Sequence, residues 1–213
     1  MQIKTLRDVS LRNYQTLQQI KNPSNEDILI SLFEYSIEEI RDMKQKDLDA
    51  LAIHIKSLFE KENDLCNILQ INNTEFGFIP KLDDITYGEN TDVSNYINDW
   101  ETMHKAMAVL YRPITAKMGN RYSIAKYEGT DKYAELMKDA PLDVVLSMIV
   151  FFYNLTNDLL SCIPSYLQKT ILTKEVLSHT SKENGEDIAN FTLSLKGICE
   201  DLTRLQNYPY LNV

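Results

Sequence analysis

Six carboxylates crowd the stretch from Asp83 to Glu101, namely Asp83, Asp84, Glu89, Asp92, Asp99 and Glu101, with Lys81 just ahead of them. Such density suits calcium binding, acid/base chemistry or ion pairing. A calcium loop of the EF-hand kind alternates oxygen ligands ahead of its glycine, and Ile85 and Tyr87 stand where ligands are required. An acid/base pair needs burial and a set separation, which residue order does not supply. The pattern therefore favours helix caps, solvated turns and a partner-facing patch over a metal or catalytic role. Arg112, directly before Pro113 in an aromatic neighbourhood, is placed to pair with one of the acids between Asp83 and Glu89.

The remaining reactive side chains are dispersed. His54 sits between Leu51, Ile55 and Leu58, and His104 beside Trp100, Met103 and Met107, so both read as helix residues packed against a core. His179 falls in a polar loop. Cys66, Cys162 and Cys199 are odd in number and far apart, which indicates buried free thiols in a reducing compartment rather than a disulfide framework or zinc site. GxSxG, Walker, GxGxxG and HExxH patterns are absent from the sequence. With six glycines in 213 residues, a loop that brings several backbone N–H groups to a phosphate is not expected. The expectation is a non-enzymatic protein without cofactor or metal.

Charge points the same way. The formal net charge of −9 comes with no clustered Lys/Arg run, so phosphate-neutralising binding to nucleic acid is not expected. The most apolar run, Val144 to Tyr153, is half a bilayer span and reads as a buried helix. The polar, mixed-charge first eight residues do not read as a signal peptide, and none is expected.

These residues must be positioned by an α-dominated α+β fold. Helical spacing runs from Leu6 to Ile20 and stops at Asn22-Pro23. Ser24 or Asn25 caps a second helix, Ser36 with Glu39 forms a capping box, and a longer helix covers Lys46 to Lys61. Ile68–Ile71 and Thr74–Phe78 form a hairpin around Asn72-Asn73. Lys81 to Asn90 reads as a loop with Gly88 at positive φ. Asp92 or Ser94 then opens a single helix through Trp100 to Leu110. A second hairpin spans Arg112 to Tyr127, with Tyr122 and Ile124 on one face. A short helix covers Asp131 to Lys138, and Pro141 opens an apolar helix that Pro164 interrupts. Residues 1–164 thus form a main helical domain with a hairpin region at about 68–127. Residues 165–213 form a C-terminal helical arm, with a last helix from Asp187 to Asn207 and an aromatic tail at Tyr208-Pro209-Tyr210-Leu211.

Phe76, Phe78, Tyr87, Tyr96, Trp100, Tyr111, Tyr122, Tyr127 and Tyr133 leave two readings open: an aromatic core beneath the hairpins, or a contribution to a subunit interface. Tyrosine offers large contact area at small rotamer cost. Tyr87, Glu89, Arg112, Tyr208 and Tyr210 are the interface candidates.

One family pattern fits this layout. Phe76-Gly77-Phe78-Ile79-Pro80-Lys81-Leu82-Asp83, Gly88-Glu89, Asp92, Leu110-Tyr111-Arg112-Pro113-Ile114, Tyr122, Tyr127-Glu128-Gly129 and the run from Pro141 to Phe151-Phe152 resemble small proteins of tailed bacteriophages. These are chiefly phages of Bacteroidetes hosts, including the crAss-like group, and the resemblance covers roughly residues 1 to 165. Asn90 stands where the pattern has an aromatic, so that loop departs from it. The resemblance implies a virion or morphogenesis protein and no catalytic residue. A head–tail connector or neck-ring subunit follows, partnered by itself and other phage structural proteins, in the virion and in the host cytoplasm during assembly. An acidic wall would let DNA pass without adhering. An assembly chaperone absent from the mature virion, or a small factor binding a host protein, are the alternatives.

Overall fold

The computed structural model of the chain describes residues 5–61, 64–119 and 121–171, with side chains described as far as Thr156. Its described part is mainly helical, with one four-stranded antiparallel sheet, as the α+β reading expects.

The N-terminal helix is shorter than its apolar spacing suggests. Leu6–Asp8 is a 3-10 turn, Val9 is extended, and α1 covers Leu11–Gln18. Ser10 sets the boundary, because its hydroxyl accepts the Asn13 N–H at 3.1 Å, and capping requires extended backbone at Ser10 itself. α2 (Asn25–Phe33) and α3 (Ile37–Asp42) begin at the capping boxes of Ser24 with Asp27 and Ser36 with Glu39. The Ser24 hydroxyl and backbone N–H hold the Asp27 carboxyl below its usual pKa. α4 covers Gln45–Glu60.

Strands β1 (Ile68–Ile71) and β2 (Thr74–Phe78) form the first hairpin, with Asn72 at φ +52°. β3 (Tyr111–Met118) and β4 (Arg121–Ile124) form the second, and Tyr122 and Ile124 alternate with exposed Arg121 and Ser123 as the sequence pattern predicts. The two hairpins are not separate. Phe76, Gly77 and Phe78 pair with Pro113, Arg112 and Tyr111, giving one sheet in the order β1-β2-β3-β4. That pairing joins residues more than thirty positions apart, so local turn signals do not reveal it. β3 hands over from β2 to β4 at Pro113, followed by an irregularity between Ile114 and Ala116. A missing N–H is tolerated at such a place.

The connection between the two hairpins carries α5 (Tyr87–Tyr96) and α6 (Met103–Leu110). This corrects three expectations. Gly88 lies in the first turn of α5 and has no positive φ; the positive-φ glycines among the described residues are Gly119 and Gly129. The start is set upstream of Asp92 by Thr86, whose capping box with Glu89 fixes it. The expected single helix is two, broken where the Asp99 carboxylate accepts the Glu101 N–H at 2.9 Å and the Thr102 hydroxyl turns back to the Tyr96 carbonyl. Six of the eight residues of α6 are buried (Met103, Ala106, Met107, Ala108, Val109 and Leu110), and the helix passes into β3 with no intervening residue.

α7 (Asp131–Met137) leads to α8 (Leu142–Ile171). Pro164 does not end α8, and the helix runs across the expected boundary between residues 164 and 165. An interior proline removes one hydrogen bond, at a cost of about 3 kcal/mol, while a helix this long keeps the rest of its ladder. The other expected elements of the arm, including the Asp187–Asn207 helix, lie outside the described residues, as do His179, Tyr208 and Tyr210.

The N-terminal segment closes on the α7–α8 junction. Leu11 N–H donates to Ala140 O at 2.9 Å, Arg12 N–H to Lys138 O at 2.7 Å, and Leu142 N–H to Val9 O at 2.8 Å. Tyr14 of α1, Phe33 of α2, Phe76 of β2, the α6 residues and Val145, Met148 and Ile149 of α8 share one core. No helix among the described residues is long and apolar enough to cross a membrane.

Candidate functional site

The polar centre of the molecule forms where α5 leans on β3. The first turn of α5 leaves backbone N–H groups unpaired, and Thr86 with Glu89 satisfies them reciprocally. Glu89 N–H donates to the Thr86 hydroxyl at 3.3 Å, and both the Thr86 N–H and its O–H donate to Glu89 Oε2 at 2.7 Å. The other carboxylate oxygen, Oε1, faces Arg112 Nη1 at 2.8 Å. Glu89 is 4% and Arg112 9% exposed, so this ion pair is internal. The pairing expected of Arg112 with the acids of the 83–89 stretch is thus made, and its partner is Glu89.

One turn further along α5, Asp92 accepts a hydrogen bond from the Tyr127 hydroxyl. The Arg112 guanidinium carbon lies 5.9 Å from the centre of the Tyr127 ring, within cation–π range. Thr86, Glu89, Asp92, Arg112 and Tyr127 therefore form one connected group. Glu89 already accepts three donors and is charge-paired, so its carboxylate ties the start of α5 to β3.

Beside this group opens a cleft of about 220 Å³, walled by Arg112, Tyr127 and Tyr133 and rimmed by exposed Lys126, Glu128 and Lys132. Gly129, at φ +96°, turns the chain there in a conformation that suits glycine. Arg112 Nε is buried and has no acceptor. Sequence reasoning passed over Lys126 and Lys132. The available signal was Tyr127-Glu128-Gly129 between two lysines, directly after a strand.

The interface candidates separate. Tyr87 is 88% exposed, Glu89 and Arg112 turn inward against each other, and Tyr208 and Tyr210 lie outside the described residues. The aromatics form three groups among the described residues: Phe78 meets Tyr111, Phe151 and Phe152, Trp100 meets Tyr14 at 4.5 Å, and Phe76 meets Tyr133 at 5.7 Å. His104 Nδ1 faces Gln15 Nε2 at 3.1 Å, and desolvation first, then Lys138 and Lys105, lower its pKa. His54 is half-buried, with its Nε2 lacking a partner. Among the described residues no three His, Cys, Asp or Glu side chains converge to hold a metal ion.

Three tyrosine hydroxyls are held in the protein. Tyr111 donates to Cys66 O at 2.7 Å, Tyr122 reaches Phe78 O at 2.8 Å, and Tyr127 donates to Asp92. Burial is the first cause raising all three pKa values, with the Asp92 hydrogen bond adding to it at Tyr127. A raised folded-state value means the stabilisation is complete below the unfolded tyrosine pKa of about 10 and is lost as pH rises above it. Stability is accordingly expected to hold up to about pH 10 and then fall, with Tyr127→Phe showing a shallower fall. Denaturation curves collected across the alkaline range check this, and a flat profile there would contradict it.

No protein-family model, no curated protein and no solved structure matches this chain.

Proposed function

We propose that this is a non-enzymatic bacteriophage structural protein, a subunit of the head–tail connector or neck ring, that works through contact with copies of itself and with other virion proteins. The observation that carries this reading is Tyr87. A large aromatic side chain stands 88% exposed on the first turn of α5, where the Thr86–Glu89 capping box and the buried Glu89–Arg112 pair hold its backbone in place. Anchored, water-exposed tyrosines suit protein interfaces, since little conformational freedom is lost on contact. Met118, 79% exposed at the end of β3, is a second apolar projection. The ionisable side chains around Glu89 are engaged with one another, which supports a structural role for them. The resemblance to tailed-phage proteins, over roughly residues 1 to 165, supplies the setting. A ring of this kind is a closed, heterologous assembly.

Mass spectrometry of purified virions and light scattering of the purified protein test the reading. The chain is expected in the particle and as an oligomer in solution; its absence from virions would sink the connector role. Tyr87→Ala is expected to weaken assembly while changing unfolding free energy by less than about 0.5 kcal/mol, as for surface positions generally. An unchanged oligomer distribution would remove Tyr87 from the interface.

A further inference from the structure

We propose that the cleft between Arg112, Tyr127 and Tyr133 is a receptor for a single carboxylate, borne by a small acid with a flat apolar body or by an acidic side chain next to an aromatic one in another protein. This inference is independent of the virion role and stands or falls on its own test. Its basis is the orphaned donor. Arg112 is more than nine-tenths buried and lines the cleft; Nη1 is taken by Glu89 Oε1 at 2.8 Å, while buried Nε has no acceptor. A buried guanidinium N–H without an acceptor is costly. Nε is closed to water as the side chains stand, so an incoming oxygen reaches it and relieves that cost only with a shift of the Tyr127 ring that lies against the guanidinium.

Charge selects the kind of oxygen. Three cations line the cleft, Arg112, Lys126 and Lys132, against one anion, Glu128, while Glu89 stands behind Arg112 and Asp92 behind Tyr127. The exposed lysines are screened by water, so the surplus accommodates one negative charge better than two. A carboxylate fits that balance and matches the planar guanidinium, whereas a phosphate dianion meets the nearby acids. Half-buried Tyr127 and Tyr133 give the cleft its apolar walls. Its volume of about 220 Å³ equals roughly seven waters, room for a ring-sized acid.

The test titrates the full-length chain at neutral pH with benzoate, benzamide, phenyl phosphate and a terminally blocked Glu-Phe dipeptide, following the Arg112 Nε–H and the Gly129 amide by NMR. Benzoate and the dipeptide are expected to give saturable shifts with dissociation constants on the order of 1–10 mM, the range open to ligands this small. Phenyl phosphate is expected to bind more weakly than benzoate and benzamide not to saturate. The stronger of the two carboxylates identifies the source, a free acid or a protein side chain. Lys126→Ala with Lys132→Ala, both at exposed positions, is expected to weaken benzoate about threefold to tenfold. Arg112→Lys keeps a cation against Glu89 but lacks Nε–H, and saturable binding is expected to disappear with the fold intact. The proposal is overturned by benzamide binding as well as benzoate, by phenyl phosphate binding more tightly, by no saturation with either carboxylate, or by undiminished binding in folded Arg112→Lys.

Discussion

Gly77→Ala is expected to destabilise the protein by about 2–3 kcal/mol, and Gly77→Val by more. A Cβ at position 77 would stand 2.4 Å from Tyr122 Cε2, 2.7 Å from Cδ2 and 3.0 Å from Ile124 Cγ2. The end of a flexible side chain would swing clear of such a clash, but the Tyr122 ring is tied down. Its hydroxyl lies 2.8 Å from the Phe78 carbonyl and 3.1 Å from that of Asn67, so moving the ring forfeits that bonding. Chemical denaturation measures the loss. In a Tyr122→Ala background only the 3.0 Å approach to Ile124 Cγ2 is left, which a few tenths of an ångström of movement relieves, and the cost of Gly77→Ala is expected to fall below about 1 kcal/mol. An equal cost in both backgrounds would show that the ring is not what excludes a side chain.

The second large effect concerns the buried ion pair. Glu89→Ala is expected to cost about 3–5 kcal/mol, because Arg112 is left charged and unpaired in the interior. Loss of the capping box adds about 1 kcal/mol. Glu89→Gln keeps an acceptor for Thr86 while removing the charge, and should fall between wild type and Glu89→Ala. Replacing both partners, as Glu89→Leu with Arg112→Met, should recover much of the stability, since an apolar pair needs no desolvated charge. Equilibrium unfolding of the wild type and the three variants at neutral pH decides the matter. A Glu89→Ala loss under about 1 kcal/mol would mean that water reaches Arg112.

What the sequence discloses about this fold follows the range of the interaction. Ser36, with Glu39 three residues on, marks α3 because a capping box is complete within four residues, and the start of α2 is legible to within Ser24 or Asn25. Thr86 with Glu89 is the same signal, yet Gly88 between them reads as a loop residue, and the start of α5 is missed. Propensity is a weak prior where tertiary packing holds a helix in place. The union of the two hairpins rests on Gly77 facing Arg112 across the sheet, a pairing without local signature. The candidate site shows the same division. Arg112 and an acid of the 83–89 stretch stand out as partners because opposite charges in an apolar setting must meet. Lys126 and Lys132 look like ordinary surface lysines until the turn at Gly129 gathers them around one cleft.

The stitching of Leu11 and Arg12 to Ala140 and Lys138 bears on how the molecule is made. During synthesis the first helix leaves the ribosome long before the residues that receive it. Leu11, Tyr14 and Leu17, all fully enclosed at the end, can meet α2 early, but their enclosure is complete only once the stretch around Pro141 emerges. Closing so distant a contact carries a loop-entropy cost that no early hydrogen bond repays. The hydrogen bonds that lock Val9, Leu11 and Arg12 to the α7–α8 junction can thus close only after more than 120 further residues have been made.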